Sequence, residues 1–102
     1  EAATLVSIGT CYFSQGQGER AITCYEQGLA ISREIGDRRT EAMSLKSMGT
    51  TFFLLGKGEE ALEATQAAVQ IFDEIGAYPG ADGTRKFLDH LRLSFGRGRW
   101  RL

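Results

Sequence analysis

Apolar residues recur along the first three quarters of the chain at helical rather than alternating spacing. Leu5, Ile8 and Tyr12 stand at i, i+3 and i+7, with Gly9 beside Ile8, which predicts a helix over 2–14 that buries that side. Gln15-Gly16-Gln17-Gly18 breaks the pattern as a tight helix–helix turn does. A second helix is predicted over 19–35, with Ala21, Cys24, Gly28, Ile31 and Ile35 on one line and Ile22, Tyr25 and Leu29 widening it. Gly36 falls where a left-handed C-terminal cap belongs, and Asp37 can cap a third helix through about 54 that buries Leu45, Met48 and Phe52. A fourth helix over 59–75 carries Ala61, Ala64, Ala68, Ile71 and Ile75 and stops at Gly76. Ala77-Tyr78-Pro79-Gly80 reads as a turn, and a fifth helix is expected over 82–94 with Phe87, Leu88 and Leu91 on its apolar side. The remainder, FGRGRWRL, has no period and reads as a flexible basic end.

The stretch from Ser7 to Gly36 is written again from Ser47 to Gly76, a shift of 40 residues. A fixed period in this range signals a stacked architecture, because one unit cannot bury its own apolar face. Glycine inside a helix costs about 1 kcal/mol relative to alanine. Its presence at both Gly9 and Gly49 therefore predicts a neighbouring helix that crosses too closely for a side chain.

These residues resemble the tetratricopeptide repeat family. Leu5, Ile8-Gly9, Tyr12, Gly16, Ala21, Tyr25 and Gly28 fit that repeat's pattern, as do Leu45, Met48-Gly49, Phe52, Gly56, Ala61 and Ala68 in the second copy. The second helices run on through Ile35 and Ile75, so the chain is similar to the roughly 40-residue variant found in Leu-Gly-Asn repeat adaptors and bacterial regulators, longer than the usual 34. It departs at Thr65, which replaces the second-helix aromatic, and at Arg33 and Asp73, where the closing proline is missing. The resemblance implies an all-α fold: a right-handed α-solenoid of two stacked helical hairpins with a C-terminal capping helix. The expected divisions are 1–36 and 37–76 for the repeats, 77–95 for the capping helix and 96–102 for the tail.

Composition changes this picture little. A charged fraction of 25% and a net charge of −1 favour neither nucleic acid nor a membrane as partner. The charge is uneven: residues 1–76 hold six basic against eleven acidic side chains, and 77–102 six against two. The basic tail, with Arg97, Arg99, Trp100 and Arg101, is a minor candidate for RNA. Cys11 and Cys24 read as reduced, core-filling thiols of a cytoplasmic chain, with a disulfide or redox switch as the alternative. With one histidine they make no closed zinc site. The absence of an initiator methionine at Glu1 suggests a segment of a longer protein.

Catalytic chemistry finds no support. Gly16-x-Gly18-x-x-Ala21 and Gly56-x-Gly58-x-x-Ala61 match the dinucleotide string, but that motif needs a strand before it, and here helices precede both. Glu26, Glu34, Glu63, Glu74 and His90 lie on polar helix faces with no nucleophile beside them. No catalytic residue, cofactor or metal is expected. The resemblance implies instead a concave groove lined by the first helix of each pair: Ala3, Val6, Ser7, Thr10, Phe13 and Ser14, then Met43, Lys46, Ser47, Thr50, Phe53 and Leu54. Val6 and Thr10 stand where chaperone-binding members keep a Lys/Asn carboxylate clamp, so that clamp is not expected. Hydroxyls of Ser7, Thr10, Ser47 and Thr50 could bind a peptide backbone, with Phe13 and Phe53 as anchors; alternatively the hydroxyls bond back to their own turns and the rings pack on neighbouring helices. The expected function is non-catalytic recognition of a protein or peptide. The alternative is self-association through the exposed end of the stack near Glu1.

Overall fold

The computed structural model describes residues 2–76 and 78–96. Five α-helices follow one another: α1 (Ala2–Ser14), α2 (Gly18–Ile35), α3 (Arg38–Leu54), α4 (Gly58–Ile75) and α5 (Tyr78–Leu91), the last running into one π-helical turn, Arg92–Gly96. α1 pairs with α2 and α3 with α4; α2 packs on α3, α4 on α5, and α1 also touches α3. No strand occurs among the described residues. The helices form one layered stack in which α2 and α4 are each sandwiched between neighbours.

The same two turns are each used twice, 40 residues apart. Gly16 and Gly56, at φ +77° and +78°, turn the chain between the helices of a pair, and the amides of Gln17 and Lys57 reach back to the carbonyls of Tyr12 and Phe52 at 2.9 and 2.8 Å. Gly36 and Gly76, at φ +73° and +72°, cap α2 and α4. This left-handed geometry excludes most side chains. Asp37 then opens α3: its carboxylate accepts from the Thr40 hydroxyl at 2.7 Å and the Thr40 amide at 3.1 Å. The hydroxyl bond first and the amide bond second hold its pKa below the ordinary carboxylate value.

The helices nest where glycine leaves room. A methyl on Gly9 would lie 2.7 Å from Cε1 of Tyr25 and 3.2 Å from the carbonyl of Ala21, and one on Gly49 would strike the Thr65 hydroxyl. Ala21 and Ala61 are fully buried at these crossings. The expected reason for two mid-helix glycines therefore holds.

Four expectations are corrected. α1 buries Ala2, Val6 and Gly9, while of the expected line Leu5 and Tyr12 are half-buried and Ile8 is 42% exposed. The cause is position: residues 4, 8 and 11 share the register of Ser44, Met48 and Thr51, which α3 buries with α2 lying alongside, whereas no described helix lies ahead of α1. For the same reason Cys11 is exposed, and with Cys24 only half-buried neither thiol fills the core. Ile35, expected on the buried line, is 68% exposed, because burial in α2 stops at Ser32. Finally, α5 starts at Tyr78 instead of 82. Pro79 lies in its first turn, where a missing amide hydrogen breaks no helical bond. The basic-tail expectation for 96–102 falls almost wholly outside the described residues.

Candidate functional site

Between α1 and α3 lies a cleft of about 170 Å³ lined by Thr10, Phe13, Tyr25, Lys46, Ser47, Thr50 and Thr51. It follows directly from the nesting. Because Gly9 has no side chain, the Tyr25 ring of α2 passes beneath α1 and its phenol emerges beside Thr10, 3.2 Å from the hydroxyl. The Thr10 hydroxyl donates to the Val6 carbonyl at 3.0 Å, so the phenol is the group that donates to Thr10. The floor is thus a fixed polar pair, with a half-buried Phe13 at one wall and Lys46 at the other.

Of the twelve residues expected to line a groove, five meet here: Thr10, Phe13, Lys46, Ser47 and Thr50. Val6 does not belong to the row. It is 7% exposed, sits in the core cluster, and packs under Gly28, where an added methyl would meet its Cγ2 at 3.4 Å. Ala3, Ser7, Ser14 and Met43 are exposed but lie off the cleft. Leu54 lines a second opening of about 210 Å³ at the turn end, formed with Phe13, Gly16, Gly18, Thr51 and Leu55.

Two of the four hydroxyls expected to form a ladder, those of Thr10 and Thr50, are spent on the protein itself. Thr50 donates to the Lys46 carbonyl at 3.4 Å, and Thr51, which was not part of that ladder, to the Ser47 carbonyl at 2.9 Å. These oxygens keep lone pairs and so present acceptors, not donors. Phe53 is also engaged: its ring meets Phe87 of α5 edge-on at 5.6 Å and His90 at 6.2 Å. Phe87 holds the register position of Ser47, so where the first cleft has a hydroxyl the second has a ring that closes it.

A larger hollow of about 630 Å³ opens between α4 and α5. Arg85, Asp89 and Arg92 line it, at the register of Leu45, Gly49 and Phe52 in α3. Arg85 pairs across it with Asp73. The surface with which α3 receives α4 has become a solvated, charged face in α5.

Two features escaped sequence reasoning. Tyr25 as the cleft floor was legible only as a core aromatic. Glu41 was readable only as a first-turn acid, yet it is buried and bonds Arg33 of α2 at 3.1 Å and Arg38 at 2.9 Å, while Arg38 also holds Glu74 of α4. Glu41 and Glu74 together hold the Arg38 guanidinium's pKa above its ordinary value, Glu74 contributing most. The acids Glu26, Glu34 and Glu63 are exposed.

No described helix is long and apolar enough to cross a membrane. Among curated proteins none matches the chain. The family comparison is positive: the pattern of the tetratricopeptide repeat matches residues 1–74. Two nested hairpins, paired left-handed glycines and a profile match over most of the length agree, and the chain belongs to the tetratricopeptide repeat family.

Proposed function

We propose that this chain is a non-catalytic protein-recognition module, cytoplasmic in setting, that holds an extended peptide segment across α1 and α3. The observation that carries this reading is the cleft between those helices, with its Tyr25–Thr10 floor. Its walls supply what an extended chain needs: an aromatic edge at Phe13, acceptor oxygens at Thr10 and Thr50, and an ammonium at Lys46 for peptide carbonyls. Members of this family commonly mediate protein–protein contacts, which supports the same class of partner.

The test copies a change the chain has already made. Ser47→Phe should fill the first cleft as Phe87 fills the second, stacking on Phe13 with little change in Tm. A peptide selected from a random displayed library on the unmodified chain should then lose about tenfold or more in affinity, worth 1.4 kcal/mol. Undiminished binding to the variant sinks the proposal, as do amide shifts confined to α2 and α4 on titration.

A second reading is favoured by one observation. Ile8 is 42% exposed, and Thr4 and Cys11 beside it are also exposed, at the register of buried Ser44, Met48 and Thr51. A second copy covering this end would dimerise the chain. Sedimentation should show a concentration-dependent dimer that Ile8→Lys abolishes; a strict monomer at high concentration removes this reading.

A further inference from the structure

We propose that the hollow between α4 and α5 is a docking seat for residues 97–102 of the same chain, Arg-Gly-Arg-Trp-Arg-Leu. The hollow takes no part in the cleft between α1 and α3, so this inference stands apart from the peptide reading. Its place in the repeat is familiar and its chemistry is not. α3 receives α4 at Leu45, Gly49 and Phe52, and the same register on α5 holds Arg85, Asp89 and Arg92. With Asp89 where the close crossing has its glycine, what remains is a trough of about 630 Å³. Ala67, Val69 and Leu88 supply its apolar part.

Charge says what fits the trough. α4 carries five acidic side chains and no basic one. Asp73 and Glu74 are matched by Arg85 and Arg38. Glu59, Glu60 and Glu63 are exposed and enter no ion pair among the described residues, and the same holds for Asp89 on the facing wall. Against these carboxylates the trough sets Arg92; Lys57 pairs with Glu19, and Lys86 does not line the trough. Asp82, one turn before Arg85, has its side chain outside the described ones and adds only to the acidic side. Residues 97–102 hold the complement: Arg97, Arg99 and Arg101 for the carboxylates, Trp100 and Leu102 for the apolar part. Gln66 and Gln70 offer acceptors to the indole N–H, and Arg92 can meet the ring as a cation on its face.

The segment also starts in the right place. Arg85 pairs with Asp73 at one end of the trough, and the turn Arg92–Gly96 touches α4 at the other, the end of the unmatched acids. Gly96 and Gly98 permit the reversal that leads back along the trough. Six extended residues reach roughly 20 Å, and from Glu63 to Asp73 the helical rise gives roughly 15 Å. Seated there, the segment closes this end of the stack to other chains.

Trp100 is the only tryptophan, so its fluorescence reads the seat in the intact chain. Its emission should lie to the blue of that of a synthetic peptide of residues 97–102, with less quenching by acrylamide, and added salt should move both toward the peptide values. Glu63→Lys/Asp89→Lys, at two exposed positions, should release the ring, and the milder pair Glu63→Gln/Asp89→Asn should release it in part. Glu26→Lys/Glu34→Lys on α2 should leave it seated, with helical circular dichroism kept throughout. A tryptophan as accessible in the intact chain as in the peptide would overturn the proposal, as would one that stays shielded in both trough variants. Shielding that grows with protein concentration would overturn it in favour of the segment of a second copy. Quenching by an oligouridylate that is equal in the parent and the lysine variant would overturn it in favour of RNA.

Discussion

Gly9→Val is expected to destabilise the fold by about 3 kcal/mol, the upper range for overpacking a close contact, and to lower Tm by roughly 15 °C in a domain of this size. The first added carbon already lies 2.7 Å from the Tyr25 ring. That ring is 2% exposed and anchored by its hydroxyl to Thr10, so moving it aside gives up its buried seat and that bond. Two further methyls on a β-branched residue leave α1 no choice but to move off α2. Gly49 offers an instructive contrast. There the obstacle is the Thr65 hydroxyl, which is buried without a hydrogen-bond partner and can turn away without breaking a bond. Gly49→Ala should therefore cost less than Gly9→Ala, and Thr65→Ala should relieve most of what remains, a coupling that a double-mutant cycle reads directly. Urea denaturation of the set checks the order; equal tolerance of alanine at both glycines would show that nesting is not what these positions provide.

The second large effect is expected at Glu41. Its side chain is 9% exposed and joins Arg33 of α2 to Arg38 of α3, which in turn reaches Glu74 of α4. Glu41→Ala removes two charge-assisted bonds, each strong by protein standards. The arginines left behind are 57% and 44% exposed, so water can solvate them and the full penalty of an orphaned buried charge does not apply. The net loss should be about 2 kcal/mol. Glu74→Ala, which breaks an exposed pair, should cost less than about 1 kcal/mol. Thermal unfolding of both variants decides; equal losses would mean that Glu41 is just another surface acid.

How far the sequence could be read depended on what its period encodes. Helix type, turns and the two crossings were legible because Gly9/Gly49, Gly16/Gly56 and Gly36/Gly76 recur in register. Burial on α1 was not, because Ile8 looks like Met48 in sequence and differs only in having no described helix in front of it. The start of α5 was missed by weighing Pro79 as a turn residue; counting 40 from Arg38 lands on Tyr78, and proline in a first turn is harmless. In the candidate site the row of positions was legible, but its openness was not. Ser47 and Phe87 occupy one register position, and only their sizes decide that the first cleft is open and the second filled. The burial of Glu41 left no pattern to find.

The exchange of Gly49 for Asp89 has a wider meaning. An incoming helix finds Thr4, Ile8 and Cys11 open in front of α1, but behind α5 a charged face on which Asp89 takes the place of the glycine that the close crossing used twice before requires. Lengthening of the stack is thus obstructed at one end only, which gives it a polarity much as a filament has a growing and a blocked end.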